Sequence, residues 1–522
     1  MNTPVAQASL LLAAVAASVL SAIRWLRVAQ REHYLAGSVG RFARRWWSIG
    51  PNRLLGAAAL AGLVGAAARA APAGLVAAVA VAVGPFGLSL KGRTSPLVWT
   101  RRLKALAATT AIVALVIVGL VLLAVPTWAV AAAAATLIAV AMPLMVDLAL
   151  LLTAPVEKRL GAPFVRKAAA KLASVRPTVV AITGSYGKTS TKGYVAHLLT
   201  GSVSVVPTPR SYNNQSGLSR AVNEQLLPGT DVFVAEMGTY GPGEIAQMCS
   251  WVKPDIAVIT AIGPVHLERM ASEERIARAK AEIYQHAPVV VLNVDNPWLS
   301  SLADEVTAAG KKLWRCSATD RQADVCVVDD DSSLRVYVAG AEQEIAVAHG
   351  TDAPATNVAC AVAVALQLGI GADAIAQRLP SLPVAAHRRE VSEGQNGATV
   401  IDDTYNANPA GAAGALHLLA RLGTPDHQRV VVTPGMVELG ARQADENATF
   451  AQHAAELATH LLVVGHTNAR ALMAGWRRAD EGGGRAQLLR FATRPQAVAW
   501  VSAHLGPGDV VLYENDLPDH FP

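Results

Sequence analysis

The chain has 522 residues, enough for about three domains of ordinary size; 52% of its residues are hydrophobic and only 16% are charged. The net charge of +6 would suit a nucleic-acid partner, but most of the basic residues fall in loops between apolar runs. Because the sequence has neither a basic face interleaved with aromatic residues nor zinc-finger spacing, we expect no nucleic-acid partner. Four isolated cysteines argue against a disulfide framework or a CxxC zinc site, as expected in a reducing cytoplasm.

Five apolar runs precede residue 156, and most reach the ~20 residues that a helix needs to cross a bilayer. They cover residues 5–23, 54–68, 73–90, 105–124 and 129–153. Basic residues crowd the connections at 24–53 and 91–104, so the positive-inside rule places these connections in the cytoplasm. Residues 1–156 are therefore expected to form a multi-pass domain of about five transmembrane helices in the inner (plasma) membrane, with all later residues cytoplasmic.

This region has two alternative interpretations. A cleaved signal peptide fits poorly, because the basic cluster follows the first apolar run instead of preceding it. The second and third runs could form a re-entrant or interfacial hairpin instead of two full crossings, since the second run is short and rich in alanine and glycine.

From about residue 175, short β-branched runs alternate with alanine-rich helical stretches. The strand candidates are residues 178–183, 231–236, 256–260, 289–293, 399–402, 430–433, 461–464 and 509–513. Continuous apolar strands separated by helices indicate an α/β architecture with parallel sheets. Residues 322–349 alternate in polarity and predict a small antiparallel excursion, and residues 379–390 have the composition of a hinge between two α/β units.

The stretch ITGSYGKTSTKG, residues 182–193, follows the first of these strands and has the composition of a phosphate-binding loop. Gly184 and Gly187 permit a tight turn, and backbone N–H groups at the following helix start can cradle phosphate. Lys188 would neutralise the phosphate, and the Thr189 hydroxyl can bind Mg²⁺. The spacing is GxxGKTS and not the common GxxxxGK[ST], so the loop alone does not decide between a nucleotide site and a structural turn.

Polar residues after the next strands make the nucleotide site more specific. Glu236 ends one strand, His266 follows another, and Lys280 lies on a helix soon after. Ligands collect at the carboxyl ends of strands in open α/β sheets, so these residues are expected near the loop.

From about residue 176 onward the chain resembles the Mur ligase family, and within it the MurF branch. The resemblance rests on TGSYGKTS, NNQSG, AEMG, GEI, KPDIAVIT, IGPVHLE, AKAEI, LNVDNP, HRRE, DDTYNANPAG and GMVELG, in the order of the family. It implies a P-loop central ATPase domain at 172–388 and a Rossmann-like C-terminal domain at 389–522. It also implies an ADP-forming ligase of cell-wall precursor synthesis, which activates a carboxylate as an acyl phosphate and joins it to an amine.

The resemblance further implies the roles of individual residues. ATP would contact Gly184, Gly187, Lys188, Thr189, Ser190, Asn293, Asn357, Arg388, Asp403, Tyr405, Asn406 and Asn408. Lys188, Glu236, His266 and Lys280 would be catalytic. Mg²⁺ would be held by Thr189, Glu236, His266 and Lys280, with Lys280 carbamylated. Asn213 and Asn214 match a loop on the acceptor side.

Three departures from the family pattern bear on the substrate. Membrane helices stand where MurF enzymes have their UDP-sugar domain, which suggests a lipid-linked acceptor such as a polyprenyl-linked precursor. The family's HNxxN-like adenine contact is reduced to Asn357 within ATNVACA. The usual Lys-Gly-Ser turn of the C-terminal domain is replaced by an acidic segment with Glu514 and Asp516, so the added amine need not be D-Ala-D-Ala.

Several alternatives stay open at this point. A MurT-like amidotransferase subunit is disfavoured by the scattered cysteines, and a poly-γ-glutamate synthase by DDTYNANP. A non-catalytic membrane scaffold is disfavoured by the retention of Lys188, Glu236, His266 and Lys280. A transporter is disfavoured because Asp147 is almost the only charge within the apolar runs.

Overall fold

The computed structural model describes residues 4–92, 96–209, 212–330, 333–339, 344–349, 353–383, 387–405, 407–480, 487–518 and 520–521. The chain divides into two compact units. The helical unit contains Met1–Leu160 together with Leu517–Pro522, and the ligase unit contains Gly161–Asp516.

The described residues of the N-terminal part form seven helices. They are α1 (Pro4–Arg31), α2 (Ser38–Trp47), α3 (Pro51–Ala67), α4 (Ala71–Val83), α5 (Arg101–Ala124), α6 (Trp128–Val140) and α7 (Met142–Val175). Among the described residues, only α1 and α5 are each long and apolar enough to cross a membrane alone. The number rises to four if the bent pairs α2 with α3 and α6 with α7 each count as one span.

This arrangement differs from the five crossings expected from the sequence. The second and third runs form the two short helices α3 and α4, separated by a turn in which Arg69 adopts a positive φ of 64°. The fifth run is split between α6 and α7, which meet at an angle of 75°. Pro143 lies next to this break, and proline has no N–H for the hydrogen bond that would continue the helix.

Asp147 has a structural partner in the helical unit. Its carboxylate accepts hydrogen bonds from the backbone N–H groups of Gly37 (2.8 Å), Val39 (3.3 Å) and Gly40 (2.7 Å). These are N–H groups at the start of α2, which have no partner within the helix. The one acidic side chain within the apolar runs is thus accounted for by helix capping.

The first half of the ligase unit is a nine-stranded sheet with helices on both faces. Its strands are β1 (Thr178–Thr183), β2 (Val205–Pro207), β3 (Val232–Glu236), β4 (Ile256–Ile259), β5 (Val289–Asn293), β6 (Lys312–Ser317), β7 (Val325–Asp329), β8 (Ser333–Val338) and β9 (Ala346–His349). The spatial order is β2-β3-β1-β4-β5-β6-β7-β8-β9. Strands β1 to β7 pair in parallel, and β8 and β9 are antiparallel, which confirms the predicted excursion.

Where the structure describes this half of the ligase unit, eight α-helices accompany the sheet. They are α8 (Lys188–Leu199), α9 (Gln215–Gln225), α10 (Glu244–Val252), α11 (Leu267–Met270), α12 (Glu273–Ala281), α13 (Pro297–Ala308), α14 (Ala355–Gln367) and α15 (Ala372–Arg378), with short 3-10 turns at Glu282–His286 and Leu379–Ser381. One apolar core lies on the face covered by α8 and α14, and a second lies on the face covered by α10, α12 and α13. Because both faces are covered, the central strands are apolar along their whole length.

The second half of the ligase unit is a six-stranded sheet. It contains β10 (Glu390–Glu393), β11 (Thr399–Asp403), β12 (Arg429–Thr433), β13 (His460–Val464), β14 (Gln487–Phe491) and β15 (Val510–Glu514) in the order β10-β11-β15-β12-β13-β14. All pairs are parallel except β10 with β11. The helices are α16 (Pro409–Leu422), α17 (Gln443–Leu457), α18 (Ala469–Asp480) and α19 (Arg494–His504), with a 3-10 turn at Gly440–Arg442. The predicted parallel α/β fold is confirmed in both halves.

Candidate active site

The loop between β1 and α8 has the geometry of a phosphate-binding turn. Gly187 has a φ of 83°, and a Cβ at this position would lie 2.5 Å from Oδ1 of Asn357. Both the left-handed backbone and the close side chain therefore require glycine here. Helix α8 begins at the next residue, so its first N–H groups point into the loop.

Lys188 folds back over this loop. Its ammonium donates to the carbonyl oxygens of Gly184 (2.6 Å) and Ser185 (3.3 Å). Burial lowers the pKa of Lys188 to about 8, and nearby Glu236 opposes that change. A phosphate anion in the loop would favour the protonated form of this side chain.

Glu236 forms the centre of a buried polar cluster at the carboxyl end of β3. Its Oε2 accepts from the Thr189 hydroxyl at 3.1 Å and from the Lys192 ammonium at 2.9 Å. Its Oε1 accepts from the Asn213 amide at 3.1 Å. Mg²⁺ prefers oxygen ligands such as hydroxyl, carboxylate and amide oxygens, so the residues present fit this ion.

Lys192 is a member of this cluster that the sequence analysis did not identify. It is buried and forms an ion pair with Glu236. The sequence signal was its position four residues after Lys188, because residues four apart share one face of a helix. Its partner could not be assigned without knowing that β3 lies beside β1.

Lys280 lies at the end of α12 and is buried. Burial, with a smaller contribution from the charge of Lys188, lowers its pKa well below the usual value for lysine. Burial thus shifts Lys280 toward the neutral amine, and a neutral amine is the form that can be carbamylated.

His266 has a different partner from the one expected. Its Nδ1 contacts the carboxylate of Glu438, and Arg269 contacts the same carboxylate at 3.3 Å. Glu438 belongs to the segment GMVELG beyond β12, in the second half of the ligase unit. His266 therefore bridges the two halves here, and its expected role as a metal ligand stays a prediction.

A cavity of about 520 Å³ lies beside the phosphate loop. The predicted nucleotide-binding residues in its lining are Gly187, Ser190, Asn293, Asn357, Arg388, Asp403 and Asn408. The first four come from the nine-stranded half, and the last two from the six-stranded half. The structure thus brings together, around one cavity, residues that are more than 200 positions apart in the sequence.

Two other residues were predicted to bind the nucleotide, Tyr405 and Asn406. The Arg388 guanidinium lies over the ring of Tyr405, 5.3 Å from its centroid, and the Tyr405 side chain is exposed. Asn406 lies outside the described residues.

Two of the predicted asparagines are helix caps. The side chain of Asn214 accepts from the N–H of Gly217 at 2.9 Å and begins α9. Asn408 accepts from the N–H of Gly411 at 3.0 Å and begins α16, although it also lines the cavity. Of the two residues predicted for the acceptor loop, Asn213 contacts Glu236, and Asn214 caps a helix.

The acidic segment that begins at the last residue of β15 is held inside the ligase unit. Glu514 is fully buried, and the Thr433 hydroxyl donates to its Oε2 at 2.5 Å. Burial, with a smaller contribution from Asp403, raises the pKa of Glu514 to about 8. Asp516 forms an ion pair with Arg494 at 2.7 Å. The sequence predicted the acidic character of this segment, but burial makes Glu514 an uncharged group at neutral pH.

Two family profiles match the ligase unit. The Mur ligase middle domain matches residues 182–365, and the Mur ligase glutamate ligase domain matches residues 387–513. The class that the fold and the site define is therefore a ligase, and the chain belongs to the Mur ligase family. Both profiles begin after residue 181, so the helical unit lies outside them.

Within the family, the chain is similar to MurF-type enzymes. It is 34% identical over 365 residues to the UDP-N-acetylmuramoyl-tripeptide--D-alanyl-D-alanine ligase of Mycobacterium tuberculosis strain H37Rv, covering 66% of this chain and 71% of that one. It is 34% identical over 382 residues to the enzyme of the same name from Mycobacterium leprae, covering 67% and 73%.

A solved structure of MurF ligase from Thermotoga maritima in complex with ADP has a TM-score of 0.58 and 25% identity, covering 68% of this chain and 80% of that one. The resemblance to the family and to its MurF branch is thus confirmed.

Proposed function

We propose that this chain is a membrane-anchored, ATP-dependent and ADP-forming amide ligase of MurF type. The observation that carries the proposal is the cavity, which joins the phosphate loop to Arg388, Asp403 and Asn408. The relatives named as D-alanyl-D-alanine ligases and the ADP complex of the Thermotoga maritima relative support it. We assign the membrane domain to residues 1–156, the ATP-binding domain to 172–388 and the C-terminal domain to 389–522.

Each side chain of the site has a role in this reaction. Lys188 neutralises the phosphates of ATP, and the N–H groups at the start of α8 orient them. Thr189, Glu236, His266 and a carbamylated Lys280 would hold Mg²⁺, and the ion would supply charge neutralisation at the transferred phosphoryl group. Lys192 balances the charge of Glu236 and holds its carboxylate in place.

The reaction has two steps that need no protein nucleophile. An oxygen of the acceptor carboxylate attacks the γ-phosphorus, and the bond to the β-phosphate oxygen breaks, giving an acyl phosphate and ADP. The nitrogen of the incoming amine then attacks the acyl carbon, phosphate leaves, and the amine loses a proton. The protein contributes mainly positioning and charge neutralisation.

The helical unit suggests where the acceptor lies. Helices α1 and α5 are each long and apolar enough to span a bilayer, and the family profiles do not include this unit. We propose that it anchors the enzyme in the membrane beside a lipid-linked peptide or glycan precursor. A soluble UDP-linked peptide is the alternative, because the relatives are named for that acceptor.

The first test is ATP-dependent phosphate release by the full chain in detergent. The acceptor is either UDP-MurNAc-tripeptide or a polyprenyl-linked precursor, each with and without D-Ala-D-Ala. Release that needs the soluble acceptor and the dipeptide would identify an anchored MurF-type enzyme. Release only with the lipid-linked acceptor would support the membrane-stage ligase, and no release with any combination would contradict the proposed function.

Lys188→Ala tests the role of the phosphate loop. Removal of the ammonium should reduce phosphate release by at least about 100-fold, since about 3 kcal/mol of charge stabilisation is lost. Lys167→Ala is the matched control, because Lys167 is an exposed lysine on α7. Normal turnover in Lys188→Ala would contradict the assignment.

A further inference from the structure

Helix α2 has one basic face and one apolar face. Arg44 and Arg45 follow Arg41 by three and four residues, so all three lie on the same side of the helix. The opposite side is buried and includes Val39, Phe42, Ala43 and Trp46. Where α2 ends, the guanidinium of Arg53 donates to the carbonyl oxygen of Ser48. We call Arg41, Arg44, Arg45 and Arg53 the basic surface of the helical unit.

Few acidic side chains offset this charge within the helical unit. Residues 1–160 contain 15 lysine and arginine residues but only three acidic ones, so they are more positive than the chain as a whole. Asp147 lies at the start of α2, where its carboxylate accepts from backbone N–H groups. Glu157 pairs with Arg102, and Glu32 is only 4% exposed. Most of the negative charge that matches the basic surface must therefore come from outside these residues.

Hydrogen bonds place α2 at the same end of the helical unit as the start of α5. The side-chain amide of Gln30 donates to the carbonyl oxygen of Val98 at 2.7 Å and accepts from the N–H of Val98 at 3.0 Å. The Tyr34 hydroxyl lies 3.4 Å from that of Thr100, the residue that caps α5. Helix α2 begins at Ser38, and four residues reach at most about 14 Å, so α2 starts near this end.

Exposed tryptophans flank α5 on both sides. Trp99 is 48% exposed just before the helix, and Trp128 is 62% exposed soon after it. The 24 residues of α5 extend about 36 Å, which is enough to cross the hydrocarbon core of a bilayer. Tryptophan is enriched where the hydrocarbon meets the headgroups, so Trp99 would lie at a headgroup level if α5 crosses a bilayer. The basic surface would then lie near the same level.

We propose that α2 lies along the membrane interface and that its basic surface binds the phosphate groups of anionic phospholipids. This role rests on the membrane anchor of the proposed function, since it requires a bilayer around the helical unit. Helix α2 bends from α3 by 107°, so an α3 that enters the bilayer leaves α2 close to the membrane plane. Guanidinium groups match phosphate oxygens in charge and in hydrogen-bond geometry.

The surface next to the arginines favours a phospholipid over other anionic partners. Leu54 directly follows Arg53 and is 76% exposed, and Leu60 and Val64 continue the exposed apolar surface along α3. A phospholipid has a charged headgroup beside apolar chains, so it complements both kinds of surface at once. A nucleic acid or an acidic protein surface would complement only the arginines.

The lipid selectivity of the full chain tests this proposal. The chain is reconstituted into phosphatidylcholine vesicles, and electron paramagnetic resonance gives its affinity for spin-labelled phosphatidylglycerol relative to spin-labelled phosphatidylcholine. We expect a preference for phosphatidylglycerol of at least about fivefold. Raising the salt from about 0.1 M to about 1 M should remove most of this preference, because the screening length falls from about 10 Å to about 3 Å. Equal affinity for the two lipids, or a preference that salt does not change, would overturn the proposal.

A matched pair of arginine variants locates the lipid site. Arg44→Gln removes an exposed charge from the basic surface and should lower the preference for phosphatidylglycerol about two- to fivefold. Arg477→Gln removes an exposed arginine from α18 in the ligase unit and should leave the preference unchanged. The triple variant Arg41→Gln, Arg44→Gln and Arg45→Gln should bind both lipids about equally. An effect of Arg477→Gln as large as that of Arg44→Gln would overturn the assignment to α2.

Flotation of the vesicles separates the failure of the lipid site from the failure of the membrane anchor. If the wild-type chain does not float with the vesicles, both the anchor and the lipid site are wrong. If the chain floats but binds the two lipids equally, only the lipid site is wrong. If inorganic phosphate at constant ionic strength removes the preference, the basic surface binds free phosphate, which also contradicts the proposal. Phosphate release from ATP in detergent tests the ligase reaction independently of these outcomes.

Discussion

Glu514 is a carboxyl group whose protonation depends on folding. Burial raises its pKa to about 8 from an ordinary value of 4.5, although the hydrogen bond from Thr433 opposes this shift. A carboxyl group with a higher pKa in the folded state stabilises the fold fully below pH 4.5. That stabilisation is lost as the pH rises through 8, because the unfolded chain ionises first.

Glu514→Gln should remove this pH dependence. The amide keeps an acceptor for Thr433 and never ionises, so the variant should gain stability over the wild type as the pH rises from 4.5 to 8. At pH 8 we expect a gain of at least about 1 kcal/mol, which corresponds to about 2–4 °C in melting temperature. Glu456→Gln, an exposed residue on α17, is the control. If the melting temperatures of Glu514→Gln and wild type changed in parallel with pH between 4.5 and 8, the raised pKa of Glu514 would be contradicted.

The residues of the site could be predicted from the sequence, but their partners could not. Lys188 follows a strand and Glu236 ends one, so both are visible as motifs, whereas Asn357 is identified only by the resemblance to the family. The pairs Lys192 with Glu236 and His266 with Glu438 depend on the spatial order of the strands and on the closeness of the two halves. The periodicity of apolar residues along the chain indicates neither the order of strands in a sheet nor the distance between the two halves.

At the scale of single elements, helix α9 depends on its first residue. Asn214 accepts the N–H of Gly217, which has no partner within the helix. Asn214→Ala should therefore destabilise the ligase unit by about 1 kcal/mol, measured as a lower denaturation midpoint. Asn214→Asp should keep the cap and the stability. A large loss of turnover in Asn214→Asp with unchanged stability would instead support a role in acceptor binding.

The strands that the sequence predicted are the apolar, β-branched ones, and those that it missed have a physical reason. Strand β6 contains Lys312 and Arg315, which interrupt the apolar run, and β2 has only three residues. The bends in the helical unit were also missed, because hydropathy measures apolar length and not where a helix breaks. Pro143 was the one local signal for the break between α6 and α7.

At the scale of the whole molecule, the question is whether the bilayer or another protein covers the apolar surface of the helical unit. Exposed large apolar side chains are concentrated there, including Ile112, Leu115, Leu120 and Leu123 on α5. A soluble chain seldom exposes such a continuous stripe unless something covers it. Helix α5 has 24 residues and is therefore long enough to cross a bilayer, whose hydrocarbon core would then cover this stripe.

Leu115→Arg distinguishes these two possibilities. Leu115 is 71% exposed near the middle of α5, where an arginine facing lipid would cost about 3 kcal/mol. If the bilayer covers α5, the variant should show a clear loss in the fraction of chain that resists alkaline extraction from membranes. Leu227→Arg, at a leucine in the ligase unit that is 63% exposed, should leave that fraction unchanged. If Leu115→Arg stays fully membrane-bound, or if the wild-type chain is itself extracted, α5 does not span the bilayer, and the anchor must be assigned to another helix or to a partner protein.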